Sequence, residues 1–227
     1  MTITYPQPLT HQENEDLARV GPGTVMGEYL RRFWHPVVRA GKLERDGAPA
    51  RIRLLGESYV AYRTGSGKLG FLRERCPHRG ASLALAHNDG EGLRCLFHGW
   101  KIGVEGRVTH VPTEPPACAK AFADKVKVRH YPVREAGGLI WAFVGEGMET
   151  PEFPDFEFNS LPDDQVDVRV GVFHCNWVQG MEAVLDSAHL GQLHRTSFKE
   201  TFFTPHSPSK SLILLSGSQY FRYKSWC

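Results

Sequence analysis

The chain has 227 residues, 41% hydrophobic and 11% aromatic, enough for one large domain or two small ones. Its net charge of +2 and the lack of a Lys/Arg-rich block exclude a strong polyanion-binding face, and no apolar run reaches the roughly 18 residues of a membrane span. The N-terminus, MTITYPQPLTHQENEDLARV, has neither the basic start and apolar run of a secretory signal nor its cleavage site, so a cytoplasmic protein with no nucleic-acid or membrane partner is expected.

Residues 1–22 are polar and loosely patterned. In GPGTVMGEYLRRFWHPV, Thr24 is an N-cap candidate for a short helix, with Pro36 closing it. Met26, Tyr29, Leu30 and Phe33 recur there at helical spacing and are expected to be core. From about residue 37 to 150 the chain turns to short runs: RIRLL, SYVAY, LGFL, GLRCLF, VKVRHYPV and GLIWAFV. GSG, NDGEG and EAGG separate them, which predicts a compact antiparallel β domain. The Pro- and acid-rich stretch GMETPEFPDFEFNSLPDD is the linker candidate. Beyond it, VDVRVGVF is predicted as a strand, NWVQGMEAVLDSAHLGQLH as a long helix, and SLILL and QYFRY as further strands. The expected division is an arm and helix (1–36), a β domain (37–150), a linker (151–164) and an α+β segment (165–227).

The cysteines, Cys76, Cys95, Cys118, Cys175 and Cys227, are odd in number, and nothing indicates secretion. Metal or redox chemistry is therefore favoured over a disulfide framework. The decisive stretch is CPHRGASLALAHNDGEGLRCLFHGW: Cys76-Pro-His78, sixteen residues, then Cys95-Leu-Phe-His98. Two thiolates and two imidazoles on two tight loops are a four-donor set. Zinc accepts such a set, but its pairs usually run Cys with Cys and His with His. A Rieske [2Fe–2S] centre takes two cysteines on one iron and two histidines on the other, which C-x-H and C-x2-H loops would supply. Four unrelated polar residues in turns is the third, weakest explanation. Gly80, Gly92 and Gly99 would let backbone N–H groups approach a cluster, although tight turns alone would need them too.

The second motif is DSAHLGQLH. Asp186 and His189 are three apart and share a helix face. His189 and His194 are five apart, roughly 140° apart in direction on a regular helix. A widened, π-like turn would align them, and Gly191 would tolerate it. On these residues alone, a metal site and a core helix with a polar edge both stand.

CPHRGASL and RCLFHGWKIGVEGRV resemble the Rieske domain of the Rieske non-haem iron oxygenases, the aromatic ring-hydroxylating enzymes. The wider run is most similar to the phthalate 4,5-dioxygenase group of oxygenase components, through GPGTVMGEYLRRFWHPV, RIRLLGES, KVRHYPVREAGGLIWAFVG and NWVQGMEAVLDSAHLGQLH. The resemblance implies an antiparallel β Rieske [2Fe–2S] domain followed by the start of a helix-grip-type α+β catalytic domain. Cys76, His78, Cys95 and His98 would hold the cluster, and His189 and His194 a mononuclear Fe(II). Asp186 would be the catalytic bridge, hydrogen-bonding a Rieske histidine of a neighbouring subunit to an iron-ligating histidine. The iron-binding carboxylate is expected beyond Cys227, so the 227 residues alone are expected to lack turnover.

Also implied are electrons from NADH through a separate flavin/iron–sulfur reductase, and an O2-dependent dioxygenase or monooxygenase acting on an aromatic acid such as phthalate. The expected assembly is a homotrimer or hexamer. A Rieske electron-transfer protein, or a truncated oxygenase without catalysis, is the alternative.

Overall fold

Residues 8–20 hold more order than their patterning suggests. Helix α1 (His11–Ala18) starts at a reciprocal cap: the Glu13 N–H donates to Thr10 Oγ1 at 3.2 Å, and the Thr10 N–H to the Glu13 carboxylate at 2.8 Å. The signal, T-x-x-E, was present in the sequence. Helix α2 (Val25–Leu30) begins at Thr24 as expected, its hydroxyl accepting from the Gly27 N–H at 3.2 Å. It ends at Leu30, however, and Pro36 lies in strand β1 (Trp34–Arg39), where the register shifts between Pro36 and Val38. A residue with no N–H fits an edge strand at an irregular pair. Tyr29 and Phe33, expected in the core, are 53% and 46% exposed and meet each other edge-on. The buried residue of α2 is Gly27, which packs so closely on Gly21 and Val20 carbonyls that a Cβ would clash.

The computed structural model describes residues 8–186 and Leu193, and the chain divides into two units, Met1–Val170 and Gly171–Cys227. The first unit carries three antiparallel sheets, in agreement with the expected β domain. Strands β2 (Ala50–Leu54), β3 (Glu57–Arg63) and β4 (Leu69–Arg73) form a meander. Strands β5 (His87–Asn88), β6 (Gly92–Arg94), β7 (Lys101–Gly103) and β8 (Val108–His110) form a second, and β1 pairs with β10 (Leu139–Phe143), itself paired with β9 (Val133–Ala136). Helix α3 (Pro116–Ala123) joins β8 to β9. GLRCLF stops being strand at Arg94, and VKVRHYPV is continuous strand only from Val133.

The middle of strand β3, Tyr59 to Tyr62, is buried and largely apolar because both its faces are covered. Tyr59 and Ala61 point to one core with Phe71, Tyr131, Ile140 and Ala142. Val60 and Tyr62 point to the other, with Leu72, Cys76, Leu83, Leu93, Cys95, Trp100 and Ile102. The predicted linker also packs: Phe153 meets Trp34 and Trp141 edge-on, and Phe156 stacks on Trp141 at 5.7 Å. The Trp34 Nε1–H donates to the Pro151 carbonyl at 3.1 Å.

VDVRVGVF is not a strand; it has no ladder partner among the described residues, and Val170, Val172 and Phe173 are exposed. In the second unit, helix α4 (Trp177–Leu185) starts at Asn176, whose side chain accepts from the Val178 N–H at 3.0 Å. It ends at Asp186, with φ −73° and ψ 102°, nearer than the long helix expected. SLILL and QYFRY lie outside the described residues. No helix among the described residues is long and apolar enough to cross a membrane.

Candidate metal centre

Two loops follow strands of two different sheets. One follows β4 through Glu74 and Arg75 into residues 76–81; the other follows β6 into residues 95–100. They share one backbone frame. The Cys76 N–H donates to the Ala81 carbonyl and the Cys95 N–H to the Trp100 carbonyl, each at 2.8 Å. The Gly80 N–H returns to the Cys76 carbonyl and the Gly99 N–H to the Cys95 carbonyl, each at 2.9 Å. Both glycines are in the left-handed region, at φ +70° and +74°, which closes the loop without a Cβ penalty. Within this common frame the histidine stands two residues after the first cysteine and three after the second.

The frame brings the four predicted side chains together as two pairs, one of thiols and one of imidazoles. Cys76 and Cys95 are buried side by side in the core beneath the loops. The His78 and His98 rings meet in a T at 4.5 Å between centroids. Trp100, which closes the second loop, stacks on His78 of the first at 4.7 Å and 5°, and its Nε1–H donates to Thr113 Oγ1 at 2.9 Å. Phe122 of α3 meets Trp100 edge-on. Pro77, Leu96 and Phe97 form the exposed rim, with the Phe97 ring against His98. Sequence reasoning passed over Trp100 and Thr113; a tryptophan next to a loop-closing glycine was the available signal for the first.

The electrostatics fit a metal group. Burial pushes the Cys76 thiol up to about 11, the adjacent Cys95 thiol adds to this, and the His78 and Arg79 backbone N–H groups oppose it. Two neighbouring buried thiolates thus call for a cation as their counter-charge. Burial, then the charges of His78 and Arg79, lower the His98 pKa, which favours the neutral imidazole that ligates metals. The Nδ1 of His78 is buried and has no hydrogen-bond partner among the described residues. An imidazole nitrogen withdrawn from water with nothing to bind is explained by a metal ligand position. Among the described residues, no three His, Cys, Asp or Glu side chains converge as for a single ion.

Asp186 is exposed at the end of α4, and its N–H donates to the Glu182 carbonyl at 2.9 Å. His189 and His194 lie outside the described residues. Cys118 and Cys175 are exposed and stand apart from the loop cysteines in sequence and burial.

Residues 33–132 match the family of the Rieske [2Fe-2S] domain. The class is therefore that of proteins carrying a Rieske cluster domain. Beyond that domain, the chain is similar to oxygenase subunits of dioxygenases. It is 42% identical over 183 residues to the 3-chlorobenzoate-3,4-dioxygenase oxygenase subunit of Comamonas testosteroni, covering 81% of this chain and 42% of that one. It is 40% identical to the phthalate 4,5-dioxygenase oxygenase subunit of Pseudomonas putida, covering 84% of this chain and 43% of that one. Among solved structures, NdmA of Pseudomonas putida CBB5 superimposes with a TM-score of 0.62 at 29% identity, over 78% of this chain and 53% of that one. The chain thus spans about half or less of the length of these relatives.

Proposed function

We propose that Cys76, Cys95, His78 and His98 hold a [2Fe–2S] cluster and that the chain acts as the terminal oxygenase component of a Rieske oxygenase system. The observation that carries the first part is the pair of matched loops, which bury two thiols and leave His78 Nδ1 without a protein partner. When bound, such a cluster transfers one electron at a time. The protein's part is to fix and shield it. The cysteines anchor from the core, Trp100 holds the plane of His78, and the rim of Pro77, Leu96 and Phe97 limits water. The His98 ring is less buried than the cysteines, so the histidine side is the side on which an electron partner can approach.

The oxygenase reading adds His189 and His194 as ligands of a mononuclear iron, with Asp186 as the residue that orients His189 and bridges it to a neighbouring subunit's Rieske histidine. Support comes from sequence spacing and from the relatives' names. The proposed substrate is an aromatic acid, as in the names of the 3-chlorobenzoate and phthalate relatives. The remaining partners are O2 and a flavin/iron–sulfur reductase drawing on NADH, in a cytoplasmic trimer or hexamer.

The test is anaerobic reconstitution with iron and sulfide, followed by visible and EPR spectroscopy. The chain should give the Rieske signal on reduction. Cys76→Ser and His98→Ala should abolish it and Cys118→Ser should leave it intact; the reverse result would refute the ligand assignment. In the protein with its mononuclear site complete, Asp186→Asn should keep both metals and lose most turnover. Undiminished turnover there refutes the bridge.

A further inference from the structure

We propose that Arg75 and Arg94 are a matched pair of positioning residues that brace the two ligand loops from outside. Each stands immediately before its cysteine, in RCPHRGA and RCLFHGW. Each sends its guanidinium across the loop to the carbonyl of the glycine four residues beyond that cysteine: Arg75 Nη1 to Gly80 at 3.3 Å, Arg94 Nη1 to Gly99 at 3.2 Å. The backbone frame alone does not demand this. The loops differ in the position of their histidines, yet the same side chain makes the same contact in both. No backbone N–H among the described residues donates to either glycine carbonyl. The arginines therefore supply the donors that these two reversal points lack.

The two braces differ in charge. Arg94 is also gripped by Asp89, with Nε at 2.7 Å and Nη2 at 2.6 Å from one carboxylate oxygen, and Lys101 stands 3.8 Å from the same oxygen. Its guanidinium is held by a carboxylate, so its contribution is chiefly geometric: one planar fork ties Asp89, ahead of β6, to Gly99 at the far end of the loop. Arg75 is exposed, and no carboxylate among the described residues pairs with it. Its charge is free to act on whatever the loops hold. A cation beside a redox group favours the reduced, more negative form, so Arg75 raises the reduction potential as well as bracing its loop.

This inference rests on the cluster reading above, and the test separates the two. The whole chain is loaded with cluster, and two quantities are read: the ratio of cluster-bound to cluster-free protein against a fixed concentration of iron chelator, and the midpoint potential from an EPR-monitored titration. Arg94→Gln and Arg94→Lys should each lower the ratio about tenfold, the weight of one charge-assisted hydrogen bond, because lysine cannot span Asp89 and Gly99 together. Arg75→Gln should lower both the ratio and the midpoint potential, and Arg75→Lys should restore the potential but not the ratio. Unchanged retention in the Arg75 and Arg94 variants would overturn the brace. An unchanged potential in Arg75→Gln would overturn its electrostatic part. Should the Arg94 variants fail to fold by circular dichroism, the exposed Arg75 carries the test alone. A parent chain that takes up no cluster would instead refute the earlier reading.

Discussion

The two faces of the β2–β3–β4 sheet are built on different terms. On one, Tyr59 stacks on Phe71 at 5.0 Å and meets Tyr131 edge-on at 5.2 Å. Their polar ends are satisfied: the Tyr59 hydroxyl donates to Glu57 and the Tyr131 hydroxyl to Glu146, both at 2.9 Å. Arg73 pairs with both carboxylates, and the buried Arg31 reaches Glu57 and the Leu55 carbonyl. On the other face the core includes two thiols, and the Tyr62 hydroxyl and His78 Nδ1 have no partner among the described residues. The first face is complete with protein groups alone, whereas the second leaves polar atoms whose burial needs something more. One sheet thus joins a self-sufficient core to a core that the proposed cluster would finish at His78.

The strongest way to break this comparison is to remove the metal. In iron-free protein or Cys76→Ser, amides of β6 and β7, such as Leu93 and Ile102, should lose most of their hydrogen-exchange protection. Those of β10, such as Ile140 and Ala142, should keep theirs. Equal loss on both sides would mean that the two cores fold as one unit. Next in size is Phe71→Ala, which opens the self-sufficient core between Tyr59 and Tyr131 and should cost about 3–5 kcal/mol in urea unfolding. The cluster spectrum should be unchanged, since Phe71 faces away from the loops. Trp100→Phe should cost less, about 1–2 kcal/mol, by losing ring area and the bond to Thr113 while an aromatic face remains over His78. A holoprotein as stable as the parent would show that Trp100 does not brace the first loop.

Much of the metal half was legible because its chemistry is written in spacing. Cys76, His78, Cys95 and His98 could be named from two short motifs, and the structure pairs the two thiols and the two imidazoles. Thr24 as a cap was local too. What stayed hidden depended on neighbours distant in sequence. The strap of Phe153, Phe156 and Phe158 looked like a linker because its prolines and acids outvoted aromatics whose partners, Trp34 and Trp141, lie elsewhere in the chain. VDVRVGVF alternates as a strand does, yet alternation needs a ladder partner, and the described residues offer none. Tyr29 and Phe33 had helical spacing, but Tyr29 lies on the exposed face of α2, and Phe33 falls beyond the helix end at Leu30 and is exposed too. The arginine braces were missed because each contact joins a side chain to a carbonyl five residues away, which no residue pattern announces.

The smallest expected effect sharpens the comparison near neutral pH. His35 lies on β1, beside the self-sufficient core, and its Nε2 meets the Leu30 carbonyl at 2.9 Å. Burial lowers its pKa from the usual 6.5, against the pull of that carbonyl, and the nearby Arg31 lowers it further. The unfolded chain therefore takes a proton more readily than the folded one. The stability tied to neutral His35 is fully present above 6.5 and is lost as pH falls below that value toward the folded pKa. Glu57 and Glu146 act in the same direction but lower, since their partners hold both below the usual 4.5 despite burial; their share is lost only in more acid solution. Urea midpoints of the cluster-loaded protein should thus fall modestly between about pH 7.5 and about pH 5.5, and His35→Gln should flatten that slope. A slope that survives His35→Gln would place the titrating group elsewhere. A slope that disappears only when the cluster is removed would place it on the metal side of the sheet, and the two faces would then not be independent.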